Sequence, residues 1–152
     1  MTLRGADKVK AAMGRLKESQ NDNIRGVYLA GLKNIVQETP VDKGRARNNW
    51  FLSVDSPVQA INIMQSKDGV DSIYEATKMP KDVLGKIIYF TNNLPYIKTL
   101  EYGGYPKNVK NGTYIKSQKD YQKLSKNGYS LQAPKGWVRS TIKKMRRKIK
   151  KL

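Results

Sequence analysis

The sequence predicts an α+β domain: an antiparallel or mixed β-sheet packed by a long N-terminal helix and a basic C-terminal helix, with short helices in the connections. Three observations lead there. Apolar residues recur every three or four positions near both ends of the chain. Short alternating or β-branched runs lie between those ends, bounded by Gly, Pro and Asn. The 152 residues suit one domain, 1–152, without internal repeats.

The first helix is read from Ala6, Val9, Met13 and Leu16, continuing through Ile24, Val27, Gly31 and Ile35. Asp7 favours its start through the helix dipole. Asn21 to Asn23 is a weak spot, which leaves one long helix or two. The pattern ends at Glu38, because Thr39 precedes Pro40 and is pushed out of helical geometry. Asp42 and Gly44 then supply turn chemistry.

The stretch 48–57 follows as a strand, with Trp50, Leu52 and Val54 alternating against Phe51, Ser53 and Asp55. The alternation over 58–65 is expected to give a second strand. A loop with a short helix is predicted over 66–82, stopped by Pro80. The run 85–93 is the clearest strand, β-branched and aromatic, with an Asn-Asn stop. Pro95 can open a short helix, which Gly103 and Gly104 end. Residues 105–133, rich in Gly, Asn, Ser, Lys and Tyr, predict a long mobile loop, with a short helix at 117–124. Residues 134–152 predict a basic terminal helix whose seam is Val138, Ile142, Met145, Ile149 and Leu152.

Charge narrows the function. There are 30 Lys and Arg against 12 Asp and Glu, a net charge of +18. Asp120 is the last acid, and 121–152 hold eleven bases. Such a chain attracts polyanions, either nucleic acid or an acidic protein surface. Lys143, Lys144, Arg146, Arg147, Lys148, Lys150 and Lys151 are the candidates for that contact. The contact would be to phosphate, since no base-reading motif is visible. The same helix could instead dock by its seam with the lysines solvated, or lie on a membrane surface with Trp137 at the interface.

Chemistry is restricted as well. Without Cys there is no disulfide and no thiol nucleophile, and without His the commonest general base is missing. Any catalyst would have to use Asp, Glu, Lys or Tyr, and no phosphate-binding loop or metal-ligand spacing is present. No catalytic, metal-ligating or cofactor-binding residue is assigned. No run approaches the roughly 18 apolar residues of a membrane span. The N-terminus lacks the apolar core of a signal peptide, so a soluble protein used without secretion is expected.

Three local questions stay open on the residues alone. Arg45 and Arg47 either face an acidic partner or are solvated at the entry to a strand. Glu101 either pairs with a cation across a subunit contact or caps and salt-bridges locally. The loop tyrosines, Tyr105, Tyr114, Tyr121 and Tyr129, suit a binding surface or a return to the core.

Three stretches carry a resemblance. "TPVDKGRARNNW" (39–50) resembles the TPVDTGxLRxSW element of the tail-completion, or head–tail connector, proteins of tailed bacteriophages, the family that includes minor tail protein Z. "NNLPYIKTLEYGGYP" is similar to that family's N..PYA..LEYG element, through Asn93, Pro95, Tyr96, Leu100, Glu101, Tyr102 and Gly103. "QAPKGWVRSTI" is similar to its AP.GMVR element, through Ala133, Pro134, Gly136, Val138 and Arg139. Order and spacing match, and the three elements cover about a quarter of the chain. Ala46 stands where the family often has Leu, and Trp137 where Met is common.

The resemblance implies a structural virion protein without catalysis. It would complete the tail and join it to the head connector, as a ring of copies around the DNA channel. The implied partners are the head-side connector, the tail terminator or tube, further copies of itself, and packaged DNA in non-specific contact, with no membrane. The implied location is the virion head–tail junction, and the host cytoplasm during assembly. Arg45, Arg47, Trp50, Tyr96, Glu101, Tyr102, Trp137 and Arg139 are its assembly-interface candidates. The alternative is a nucleic-acid-binding protein that uses the basic C-terminal helix for phosphate contacts.

Overall fold

Helix α1 runs unbroken from Ala6 to Glu38 in the computed structural model, which describes residues 5–104, 114–115, 120–121, 128–129 and 136–152. The Asn21 position does not divide it. Asn21 is buried, and its Oδ1 accepts hydrogen bonds from the backbone N–H groups of Val83 (2.8 Å) and Leu84 (3.0 Å). An amide that reads as a helix breaker is the anchor of a distant loop. Arg25, one turn on, donates to the carbonyls of Met79 and Thr77 and holds the end of the following helix.

The two halves of α1 differ. Gly31, Leu32, Ile35 and Val36 are buried in the core. Every residue from Ala6 to Gln20 is exposed, Val9, Met13 and Leu16 among them. The apolar stripe read from the sequence therefore runs about 22 Å past the folded body at 1.5 Å per residue. An isolated helix of that length is marginal in water, so its order is propagated from the packed half.

Strand β1 (Phe51–Val54) pairs antiparallel with β2 (Ile88–Thr91), Leu52 opposite Phe90 and Val54 opposite Ile88. β1 ends where Asp55 takes φ 63°, a left-handed conformation that Asp tolerates. Helix α2 (Val70–Thr77) precedes β2 and α3 (Ile97–Tyr102) follows it. Ser72 fixes α2 to the turn before β1: its Oγ accepts from the Trp50 backbone N–H and donates to the Arg47 carbonyl. α4 (Trp137–Ile149) lies along α1 in the opposite direction, with Trp137 bonded to Ile35 and Thr141 to Asn34. Tyr28 of α1 meets Phe90 of β2, ring centroids 6.3 Å apart. The core gathers Leu32, Ile35, Val36, Trp50, Leu52, Val83, Leu94, Leu100 and Trp137 between these elements. The α+β expectation holds, with an antiparallel sheet.

Several local expectations change. Residues 57–66 are not a ladder strand: side-chain amides, not a neighbouring backbone, hold them. Asn48 and Asn62 both donate to the Asp71 carboxylate, at 2.8 Å each. Those bonds, Asn62's first, keep the Asp71 carboxyl below its ordinary value of 3.8. A depressed acid stabilises the fold above its unfolded value, so this clasp is intact above pH 3.8 and is lost as pH falls through the lower, folded value. The long loop expected over 105–133 lies mostly outside the described residues. Within it β3 (Tyr114–Ile115) pairs antiparallel with β4 (Asp120–Tyr121), so Asp120 and Tyr121 are strand where a short helix was predicted. The terminal seam is also shifted. Trp137, Thr141 and Met145 are its buried line, Val138, Ile142 and Ile149 flank it, and Leu152 is exposed.

The buried Thr39 hydroxyl joins this architecture, accepting from Trp50 Nε1 (2.8 Å) and donating to the Ile35 carbonyl (2.6 Å). Thr39→Val keeps the shape and leaves the Trp50 N–H buried without an acceptor. It is expected to lower the unfolding free energy by about 1–3 kcal/mol. Urea unfolding checks this: the midpoint should fall at constant slope, and an unmoved midpoint would mean the hydroxyl contributes nothing.

Candidate functional site

The three stretches that carry the resemblance meet at the C-terminal end of α1. Pro40 has no N–H, so the Val36 carbonyl loses its normal helical donor. Thr39 N–H turns back to Ile35 (3.1 Å) and Val36 (3.3 Å) instead. Arg47 covers the carbonyls beyond, donating to Gln37 (Nη2, 2.6 Å), to Thr39 (Nη2, 3.0 Å) and to Lys67 (Nη1, 2.7 Å). A guanidinium over the last carbonyls of a helix also meets the negative end of its dipole. Gly44, at φ 87°, lets the chain turn under this cap, and a Cβ there would stand 2.3 Å from the Ser66 carbonyl oxygen. Trp50 closes the turn through Thr39.

The second and third stretches complete the junction. Glu101 on α3 is 6% exposed. Its carboxylate accepts from the backbone N–H groups of Val138 and Arg139, 3.0 Å each, and so caps the N-terminus of α4. Arg139 folds back with Nε on Glu101 Oε1 and Nη2 on the Glu101 carbonyl, both at 3.0 Å. Its guanidinium lies 4.4 Å from the Tyr102 ring centroid and its Nη2 is 3.4 Å from the Tyr129 hydroxyl. Gly136, at φ 70°, permits the approach: a Cβ there would meet the Arg139 guanidinium and the Glu101 carbonyl. Trp137 then donates to the Ile35 carbonyl that Thr39 also uses.

This geometry sorts the interface candidates. Trp50, Glu101 and Trp137 are buried within the chain, and Arg47 is half-buried and occupied by α1 carbonyls. These four brace the chain from within and present little outward surface. Of the two readings of Glu101, the local cap and salt bridge is the one realised. Tyr96 is half-buried, and burial pushes its hydroxyl above the usual range against the pull of Arg45. Arg45, Tyr102 and Arg139 are exposed. Ala133 and Pro134 lie outside the described residues, as do the side chains of Tyr105, Tyr114 and Tyr121.

The basic candidates are all on the surface. Lys143, Lys144, Arg146, Arg147, Lys148, Lys150 and Lys151 are exposed, and Trp137, Thr141 and Met145 hold α4 on α1. The end of α4 therefore lies near the root of the protruding half of α1, which itself carries Lys8, Lys10, Arg15 and Lys17. Among the described residues no three His, Cys, Asp or Glu side chains converge as a metal site would require, and no helix is long and apolar enough to cross a membrane.

The sequence missed the asparagines. Asn21, Asn48, Asn49 and Asn62 organise loops from buried or half-buried positions, and their only signal was Asn in stretches otherwise read as regular elements. The chain matches no protein-family model, and neither a curated protein nor a solved structure matches it.

Glu101→Ala removes the cap of α4 and the partner of Arg139 together. It is expected to cost about 1.5–3 kcal/mol, the range for hydrogen bonds to a charged group. The near-ultraviolet signal of Trp137 should be lost at a lower urea concentration. Unfolding indistinguishable from the parent would remove the latch from the account.

Proposed function

We propose that this chain is a structural subunit of the tailed-bacteriophage neck, completing the tail and joining it to the head-side connector as a ring of copies around the DNA channel. The observation that carries the reading is the convergence just described. Three separate stretches that resemble one family form a single hydrogen-bonded junction at the end of α1, through Trp50, Thr39, Ile35 and Trp137 with Glu101 and Arg139 beside them. The matched positions Thr39, Trp50, Glu101 and Arg139 all serve as internal braces, which fits a protein whose use lies in its shape. Its outward surfaces fit assembly as well: a protruding helix with an apolar stripe, and a terminal helix whose free face is cationic.

Deleting the gene from the producing phage tests this. Filled heads and unattached tails are the expected particles. Filled heads that still carry firmly joined, normal tails would end the proposal.

The exposed cations of α4 favour one second reading, a nucleic-acid-binding protein acting alone. If α4 neutralises about five phosphates, duplex binding should weaken with salt along a log–log slope of about −4 to −5. Removing residues 136–152 should abolish it. Tight, salt-dependent duplex binding by the isolated monomer would favour this reading over the neck.

A further inference from the structure

The segment from Val58 to Met64 is extended and held from one side only. The carbonyls of Val58 and Ala60 both accept from Asn93 Nδ2, at 2.9 and 2.8 Å. Asn62 exchanges two bonds with the Asn49 side chain, its N–H donating to Oδ1 and its carbonyl accepting from Nδ2. The Met64 carbonyl accepts from Asn48 Nδ2 at 3.4 Å. Every second residue thus turns its carbonyl inward, the period of an extended strand. The Asn49 carboxamide stands where the backbone of a neighbouring strand would be.

Alternation turns the N–H and C=O groups of Gln59, Ile61 and Ile63 to the other side, where they make no hydrogen bond among the described residues. Ile61 is 45% exposed and Ile63 81%. Natural sheet edges are usually guarded by charge. Here no residue from Ser56 to Ser66 is charged, in a chain of net charge +18. The other run of that length, 87–97, contains β2, which is already paired.

We propose that this edge is a self-association surface, on which the same segment of a second copy pairs antiparallel about a twofold axis at Ile61. Net charge argues for this occupant. Two copies of so cationic a chain repel wherever their charged surfaces meet, and this strip is where backbone groups are free and no charges are opposed. Pairing 61 with 61 and 59 with 63 lets all three free residues exchange both of their hydrogen bonds. It also places the isoleucines of the two copies on one face. The contact is isologous, so it joins copies in pairs and stands independently of the head-to-tail contacts of a neck ring.

The chain has no Cys, so a single introduced thiol reports cleanly. In such a pair residues 61 would have Cα atoms about 5.5 Å apart, within disulfide range. The full-length Ile61→Cys protein is expected to form a disulfide dimer under mild oxidation at least about tenfold faster than Ile87→Cys, a comparably exposed control. Full-length Ile61→Lys should sediment as a smaller species than the parent with unchanged circular dichroism, because it opposes two charges. Cross-linking no faster than the control, or Ile61→Lys sedimenting like the parent, overturns the proposal. So does protection of the 59, 61 and 63 amides that arises only with a different protein.

Discussion

The carbonyl of Ile35 is the point on which the rest of the molecule depends. It lies in the last turn of α1, where a helix runs out of its own donors. It receives three: the Thr39 N–H, the Thr39 hydroxyl and the Trp137 indole. The hydroxyl passes the connection on to Trp50. The strand that begins after Trp50 and the helix that begins at Trp137 are therefore both located from one helix terminus. Buried polar groups are costly when unpaired and specific when paired. This set fixes where the last helix docks, more than a hundred residues along the chain.

That arrangement separates what holds the subunit together from what it presents. The residues most conspicuous in the sequence, two tryptophans, a glutamate between apolar neighbours and an arginine after a turn, are used internally. The outward features are plainer: a helical stripe, a cationic helix face and a neutral extended edge. These surfaces are broad and cationic or neutral, and among the described residues no carboxylates converge as a metal site would require.

Much of this was legible because periodicity reports local geometry faithfully. The first helix up to Glu38, the terminal helix within 134–152, and the strands within 48–57 and 85–93 follow from it, and proline geometry supplies the stops at Pro40 and Pro80. Periodicity does not report what an element packs against. The stripe from Val9 to Leu16 continues the helical spacing of the buried half, yet it stays exposed. The alternation over 58–65 does mark extended chain, but its partners are asparagine side chains from 48, 49 and 93, and no pattern encodes a ladder made of amides. Glu101 was open for the same reason: its cap acts on a helix N-terminus thirty-odd residues away, and only the fold brings the two together.

Charge then sets the conditions for assembly. Copies of a +18 chain approach one another against long-range repulsion, which salt or a polyanion reduces. The geometry keeps that repulsion local. Lys143, Lys144, Arg146, Arg147, Lys148, Lys150 and Lys151 are exposed near the end of the chain, and the Val58–Met64 edge is uncharged along its whole length. The surface proposed for phosphate and the surface proposed for another copy are thus different surfaces, made of different residues. The first is governed by ionic strength and the second by backbone hydrogen bonds and apolar contact. Salt should weaken the one and spare or strengthen the other, so the two proposed contacts can be separated without changing a residue.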